Sequence, residues 1–226
     1  MNQQEFSRKY FDLLTTDYAG INLTRITNYD EFVLKQIDDS LAPLYQSDVF
    51  VSDLNMTGTL VDIGFGGGFP ILPMAHTLKD KKFIGIETRN KKVTVVTEIG
   101  KQLGLNNFKL LHSRIENIVF DVPVTCTLKA VGKVNDFLSK INSTNEISVF
   151  FYKGPGFYEL EKDQLEIAKK NWTIIEEKEL NVEGTEKRLL IGFKSKKCSM
   201  WNNKSYKRAC QTFHSSLKLS FKEDHI

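Results

Sequence analysis

The 226-residue chain is 41% hydrophobic and 26% charged, the composition of an ordinary globular protein long enough for one α/β core. No apolar run approaches the ~20 residues that cross a bilayer. The opening MNQQEFSRKYFDLL lacks the basic-then-apolar order of a secretory leader, so a cytoplasmic, membrane-free protein is expected. Three widely spaced cysteines, Cys126, Cys198 and Cys210, fit a reducing compartment better than a disulfide framework. The net charge of +3 is uneven: residues 194–226 hold eight Lys/Arg against two Asp/Glu, and the remainder is net acidic.

In chain order, residues 2–15 predict a helix, with Phe6, Tyr10, Phe11 and Leu14 at three-to-four spacing. NYDEFVLKQIDDSLAPLY opens on Asn28 with Glu31 three residues later, a capping-box pattern, and Phe32, Ile37 and Leu41 give it an apolar face. From Thr59 the pattern changes. TLVDI, KKFIGIE, FKLLH, VPVTCTL and ISVFFYK read as strands, with helices starting near Pro70, Asn90, Arg114 and Val134. This alternation predicts a parallel sheet covered by helices on both faces. A fifth helix, FYELEKDQLEIAKKN, precedes TIIEEKELNV and EKRLLIGFK, a closing antiparallel hairpin turning at Glu183–Gly184. The expected division is a helical lead (1–58), an α/β core (59–193) and a basic tail (194–226). In the tail, Trp201, Tyr206 and Phe213 alternate with Lys and Arg, a pattern suited to stacking on RNA, to docking on the core, or to a solvated tail. Cys198, Cys210, His214 and His225 lack the close pairing of zinc ligands, so no metal is expected.

The stretch TLVDIGFGGGFPILP (59–73) places Gly64, Gly66 and Gly68 where the first strand should meet its helix. A P-loop is excluded because no Lys-Ser/Thr follows. A dinucleotide loop has a glycine where Phe69 stands, and it needs an open helix N-terminus for the pyrophosphate. S-adenosylmethionine carries no phosphate but has a sulfonium, an ammonium and a ribose. Asp62, two residues before Gly64, is expected at the mouth of such a site, facing a cation. The acid followed by G-x-G-x-G resembles the first motif of methyltransferases. Glu87, closing FIGIE, can accept hydrogen bonds from both ribose hydroxyls. A plain βα turn with a surface Glu remains the alternative.

Further segments strengthen one resemblance over residues 20–193. INLTRI, KQIDDSL, VDIGFGGGFPILPMA, IETRNKKVTVV, LHSRIENI, TLKAVGKV, FYKGPG and TEKRLLIGF follow, in order, the N-L-T, H-I-x-D-S-L, glycine-loop, acid-plus-Lys-pair, R-x-E, S-R-A, K-G and G-x-R segments of the RsmG (GidB) family. That family comprises bacterial methyltransferases of small-subunit ribosomal RNA acting on guanine N7. The chain departs from the family pattern at Gln36 (His), Ile71 (Gly), Lys129 (Arg) and Lys187 (Arg, with Arg188 next).

The resemblance implies a Rossmann-like S-adenosylmethionine-dependent methyltransferase fold: a mostly parallel seven-stranded sheet ending in an antiparallel hairpin. It implies methylation of guanine N7 in 16S ribosomal RNA, with ribosomal RNA or the small subunit as partner and a monomer as the default. The cofactor residues implied are Asp62, Gly64, Gly66, Gly68, Phe69, Glu87, Ile115, Glu116 and Lys129, with Lys129 and Arg114 at the reacting centre. Gln36, Lys91, Lys153, Lys187 and Arg188 are implied on the RNA side, where Asp39 and Ser40 could shape the surface or cap backbone. Guanine N7 has an in-plane lone pair and needs no general base, so no acid–base constellation is required. Two other readings stand: a non-catalytic RNA-binding protein that keeps the fold, and a small-molecule methyltransferase, which the cations near the strand ends disfavour.

Overall fold

The structure, a computed structural model, describes residues 1–196 and the backbone of Lys218–Leu219. Most of the basic tail, with Trp201, Tyr206, Phe213 and the Cys198, Cys210, His214 and His225 set, lies outside the described residues. Among the described residues no helix is long and apolar enough to cross a membrane, and no His/Cys/Asp/Glu cluster could hold a metal.

The lead begins with α1 (Gln3–Asp12), whose entry is fixed by a reciprocal cap: Asn2 accepts from the Glu5 N–H and the Glu5 carboxylate returns to the Asn2 N–H. A wider helical turn, Leu13–Asp17, extends it. The cap expected at Asn28 forms by half. Asn28 accepts from the Glu31 N–H at 2.9 Å, but the Glu31 carboxylate turns to Lys35 at 2.6 Å. From there α2 (Tyr29–Phe32), a wide turn (Val33–Asp38) and α3 (Asp39–Gln46) make one helical path, followed by α4 (Asp48–Thr57).

The core strands are β1 (Thr59–Ile63), β2 (Lys82–Glu87), β3 (Phe108–His112), β5 (Thr125–Lys129), β7 (Ser148–Lys153), β8 (Trp172–Leu180) and β9 (Arg188–Ser195). They lie in the order β3-β2-β1-β5-β7-β9-β8, parallel except for β9, which is antiparallel to both neighbours. The expected seven-stranded sheet with a closing hairpin is thus present. Helices α5 (Ile71–Thr77), α6 (Asn90–Gln102), α7 (Val134–Leu138) and α8 (Phe157–Ala168) cover it. Neighbouring residues Phe150 and Phe151 on β7 point to opposite faces and join different buried clusters, as a two-residue period requires.

One expected helix is absent. At Arg114 the chain makes a single 3-10 turn, Ile115–Asn117, and then a two-residue strand, β4 (Val119–Phe120). β4 pairs with β6 (Asn142–Ser143) and β10 (Lys218–Leu219) in a small separate sheet. Ile118, Val119 and Phe120 favour extended backbone, and Pro123 blocks a helix beyond them. The Asn142 side-chain amide donates to the Glu116 carbonyl at 3.2 Å, and the Ser143 hydroxyl to the Phe120 carbonyl at 3.0 Å, satisfying groups a helix would have paired internally.

Candidate active site

The strand order reverses direction at β1, which has β2 on one side and β5 on the other. In such sheets the carboxyl ends of the strands open a crevice at this point. A cavity of about 600 Å³ lies there. Its walls include Gly64, Gly66 and Phe69 from the loop after β1, Glu87 from the end of β2, Arg114, Ile115 and Glu116 after β3, and Lys129 from the end of β5. These eight residues were singled out from sequence, and the fold brings them together across 65 positions of chain, Gly64 to Lys129.

The loop is held from two directions. The Gly64 N–H continues the parallel ladder to the Ile86 carbonyl at 2.7 Å. Below, fully buried Tyr10 on α1 donates its hydroxyl to the Gly67 carbonyl at 2.5 Å and stacks on Phe69, with ring centroids 5.0 Å apart. Gly67 passes so close to the lead that a Cβ there would sit 2.6 Å from the Leu23 carbonyl oxygen. Gly66, with φ +55°, faces the cavity and lies in the left-handed region that favours glycine. Gly68 does not reach the cavity wall. A Cβ there would meet the Tyr10 hydroxyl at 2.5 Å, so its role is packing of the loop on the lead.

Asp62 is corrected in place. It is fully buried and does not line the cavity. Its Oδ1 accepts from the Thr127 hydroxyl at 3.1 Å, and its carboxylate faces the Ile71 N–H at the start of α5. Its Oδ2 has no hydrogen-bond partner among the described residues, and burial pushes the carboxyl up to about 8.

These bonds answer whether the loop holds a phosphate. The Gly68 and Phe69 N–H groups go to the Phe65 carbonyl, Ile71 to Asp62, Leu72 to the Gly68 carbonyl and Met74 to the Pro70 carbonyl. Pro70 and Pro73 have none. The first turn of α5 therefore turns its N–H groups inward, to the loop carbonyls and toward the buried Asp62, unlike a phosphate-binding helix start.

Glu87 is held at the opposite edge of the loop. Its Oε1 accepts from the Thr88 N–H, the Thr88 hydroxyl and the Arg89 N–H; its Oε2 accepts only from the Gly66 N–H, at 3.3 Å. Oε2 keeps acceptor capacity on the cavity side. That acceptor and the apolar surfaces of Ile86 and Ile115 fit the ribose and adenine of an adenosyl group.

Lys129 closes the β5 side. It donates to Asp39 Oδ2 at 3.0 Å, Gln36 Oε1 at 3.1 Å and the Lys35 carbonyl at 3.3 Å. Burial lowers its basicity, and the adjacent Asp39 opposes that effect. Asp39 also takes Arg188 Nε at 3.3 Å, so it pairs two cations, while the Ser40 hydroxyl bonds back to the Gln36 carbonyl.

The residues expected to meet RNA separate. Gln36 reaches the cavity wall. Lys91 is exposed beside it, whereas its neighbour Lys92 lines it, 3.9 Å from the Cβ position of Gly66. Lys187 is exposed on the hairpin and pairs with Glu179 at 3.0 Å. Lys153 is corrected: it is 8% exposed, bonded to Glu161 and to the Gly132 carbonyl, both at 2.7 Å. It braces the loop before α7 and presents no charge to a partner. Sequence reasoning missed Tyr10, Arg89, Lys92 and Lys140. The buried hydroxyl of Tyr10 demanded an acceptor, but nothing local named Gly67. The three cations, with Arg114, line the same cavity.

A sequence model described as GidB, rRNA small subunit methyltransferase G, matches residues 3–191. Ribosomal RNA small subunit methyltransferase G of Lactobacillus helveticus is 29% identical over 84% of this chain and 81% of its own length. The protein of that name from Lactococcus lactis subsp. lactis is 33% identical over 68% of this chain and 61% of its own. With several of these relatives, such as that of Streptococcus thermophilus CNRZ 1066, the match spans about half of the relative, 47%. Among solved structures the likeness is looser: a SAM dependent methyltransferase from Aquifex aeolicus matches with TM-score 0.45 and 18% identity over 72% of this chain and 95% of that one. The match over residues 3–191 takes in the helical lead from residue 3 and the core sheet as far as Ile191 in β9, and the chain belongs to the GidB, rRNA small subunit methyltransferase G, family.

Proposed function

We propose that this chain transfers a methyl group from S-adenosylmethionine to guanine N7 in small-subunit ribosomal RNA. The observation that carries the reading is the Glu87 carboxylate, fixed by three donors on one oxygen and leaving its other oxygen at the glycine loop inside the cavity. Its relatives' name supports the RNA class.

In this reading Glu87 holds the ribose, Ile115 and Glu116 flank the adenine, and Gly64, Gly66 and Phe69 border the remaining part. When bound, S-adenosylmethionine supplies an electrophilic methyl group on a sulfonium. The chain then needs to orient that group against the base and keep water out, since N7 attacks with its own lone pair. Arg114, Arg89, Lys92 and Lys140 line the open rim and take the RNA backbone or guanine O6. Residues 1–58 serve as one side of the site, through Leu23, Gln36 and the Tyr10 brace.

The test is incubation with methyl-labelled S-adenosylmethionine and small ribosomal subunits lacking N7-methylguanosine, with the labelled base mapped by mass spectrometry. One labelled guanine is expected. Cofactor binding without any label on the RNA would support instead a protein that kept the fold and lost turnover.

A further inference from the structure

We propose that Asp39 is a positioning residue that screens the charge of Lys129 from the sulfonium of the bound cofactor. This rests on the S-adenosylmethionine reading above and adds a residue outside the cavity wall. The difficulty it addresses is electrostatic. Lys129 lines the cavity, and an ammonium there repels a cationic ligand. A cavity of about 600 Å³ is on the order of 10 Å across, and at an effective dielectric constant of about 20 two unit charges at that separation still repel enough to cost about tenfold in affinity.

The geometry removes that cost. An ammonium has three donors, and all three of Lys129's point into the lead: to Asp39 Oδ2 at 3.0 Å, Gln36 Oε1 at 3.1 Å and the Lys35 carbonyl at 3.3 Å. Both partners are screened from water, with side chains 10% and 4% exposed. Arg188, the second cation on Asp39, is 27% exposed and keeps access to solvent, so the carboxylate charge serves mainly Lys129. The turn that carries Asp39 is itself tied down. The Ser40 hydroxyl bonds the Gln36 carbonyl, and the buried β7 residue Tyr152 donates to the Ser40 carbonyl at 3.1 Å. Charge cancellation and seating of the lead come from one pair.

The two ligands that separate screening from simple structure are S-adenosylmethionine and S-adenosylhomocysteine, which differ by a charged or a neutral sulfur. Their dissociation constants are measured by titration calorimetry on the full chain at pH 6.5. In Asp39→Asn the first ligand weakens about tenfold relative to the second. Asp39→Glu keeps the ratio, and Asp39→Asn with Lys129→Gln restores it. Equal weakening of both ligands, or an unchanged ratio, overturns the proposal. If Asp39→Asn does not fold, Lys129→Gln alone gives the converse: Asp39, left with only the solvent-accessible Arg188, strengthens the charged ligand about tenfold relative to the neutral one, and an unchanged ratio again overturns the proposal. A wild-type chain that binds neither ligand refutes the cofactor reading itself, an outcome distinct from an unchanged ratio in a chain that binds both.

Discussion

The wall of the cavity after β1 and β2 presents main chain, and the wall after β5 presents side chains. On the first, glycine positions and one carboxylate do the work: Gly66 faces the cavity, and its N–H reaches Glu87 at 3.3 Å. On the second, Lys129 joins Gln36 and Asp39, residues 93 and 90 positions before it. The first wall depends on residues close in sequence and on backbone conformation, which few substitutions can reproduce. The second depends on long-range pairs that several residue types can serve. The departures from the family pattern follow that division: Gln36, Lys129 and Lys187 fall outside the β1–β2 wall, and only Ile71 falls near it, one residue past Pro70.

The largest effect is expected behind the side-chain wall, where Lys153 braces the loop that follows β5, and the variant is Lys153→Ala. It strands Glu161 in a buried position and frees the Gly132 loop; loss of one partner of a buried pair costs about 3–5 kcal/mol. Denaturant unfolding should show this, and a change below about 1 kcal/mol would make the pair dispensable. On the main-chain wall, Glu87→Gln keeps the shape but replaces a charged acceptor. Hydrogen bonds to charged groups are worth about 1.5–3 kcal/mol, so S-adenosylmethionine should bind roughly 10–100-fold more weakly with little change in melting temperature. Tyr10→Phe probes the brace between the two. It leaves the buried Gly67 carbonyl without its donor and should lower stability by about 1–3 kcal/mol, measured by chemical denaturation.

The smallest effect concerns pH. Asp62 has its carboxyl raised from 3.8 to about 8, so between those values the folded chain holds a proton the unfolded chain has released. Stability therefore falls as pH rises through that window and levels off above it. His76 acts oppositely: it is lowered from 6.5 to about 4, and its contribution grows with pH only up to 6.5. From pH 6.5 to 8 the Asp62 effect dominates, with a slope of up to about 1.4 kcal/mol per pH unit. Asp62→Asn should flatten that fall in the ligand-free chain, and an unchanged slope would place the titration elsewhere.

The β1–β2 wall was legible in the sequence because its features are local. TLVDI, the glycines, and Glu87 at the end of FIGIE each carry a short-range signature, and the strand–helix alternation placed them at one end of a parallel sheet. Asp62 was misplaced because spacing gives its distance from the glycines but not the face of the strand. It turns into the core to Thr127 and the start of α5. Lys153 was misread because a lysine at a strand end resembles a surface charge until Glu161, one helix later, is seen against it. The helix expected at Arg114 failed because β4 pairs with β6, which tertiary context alone provides. The Lys129–Asp39–Arg188 pairing spans 149 residues between its outer members, and no window of sequence contains it.

The most direct test of the central claim, that the glycine loop receives the sulfur-bearing adenosyl group of S-adenosylmethionine and not a phosphate, is a paired calorimetric titration of the full chain with S-adenosylhomocysteine, which carries the same group without the charge, and with NAD. Stoichiometric binding of the first, weakened roughly 10–100-fold in Glu87→Gln and unmatched by the second, is the result that the Glu87 acceptor and the inward-turned start of α5 predict. Binding of NAD with no binding of S-adenosylhomocysteine would contradict it.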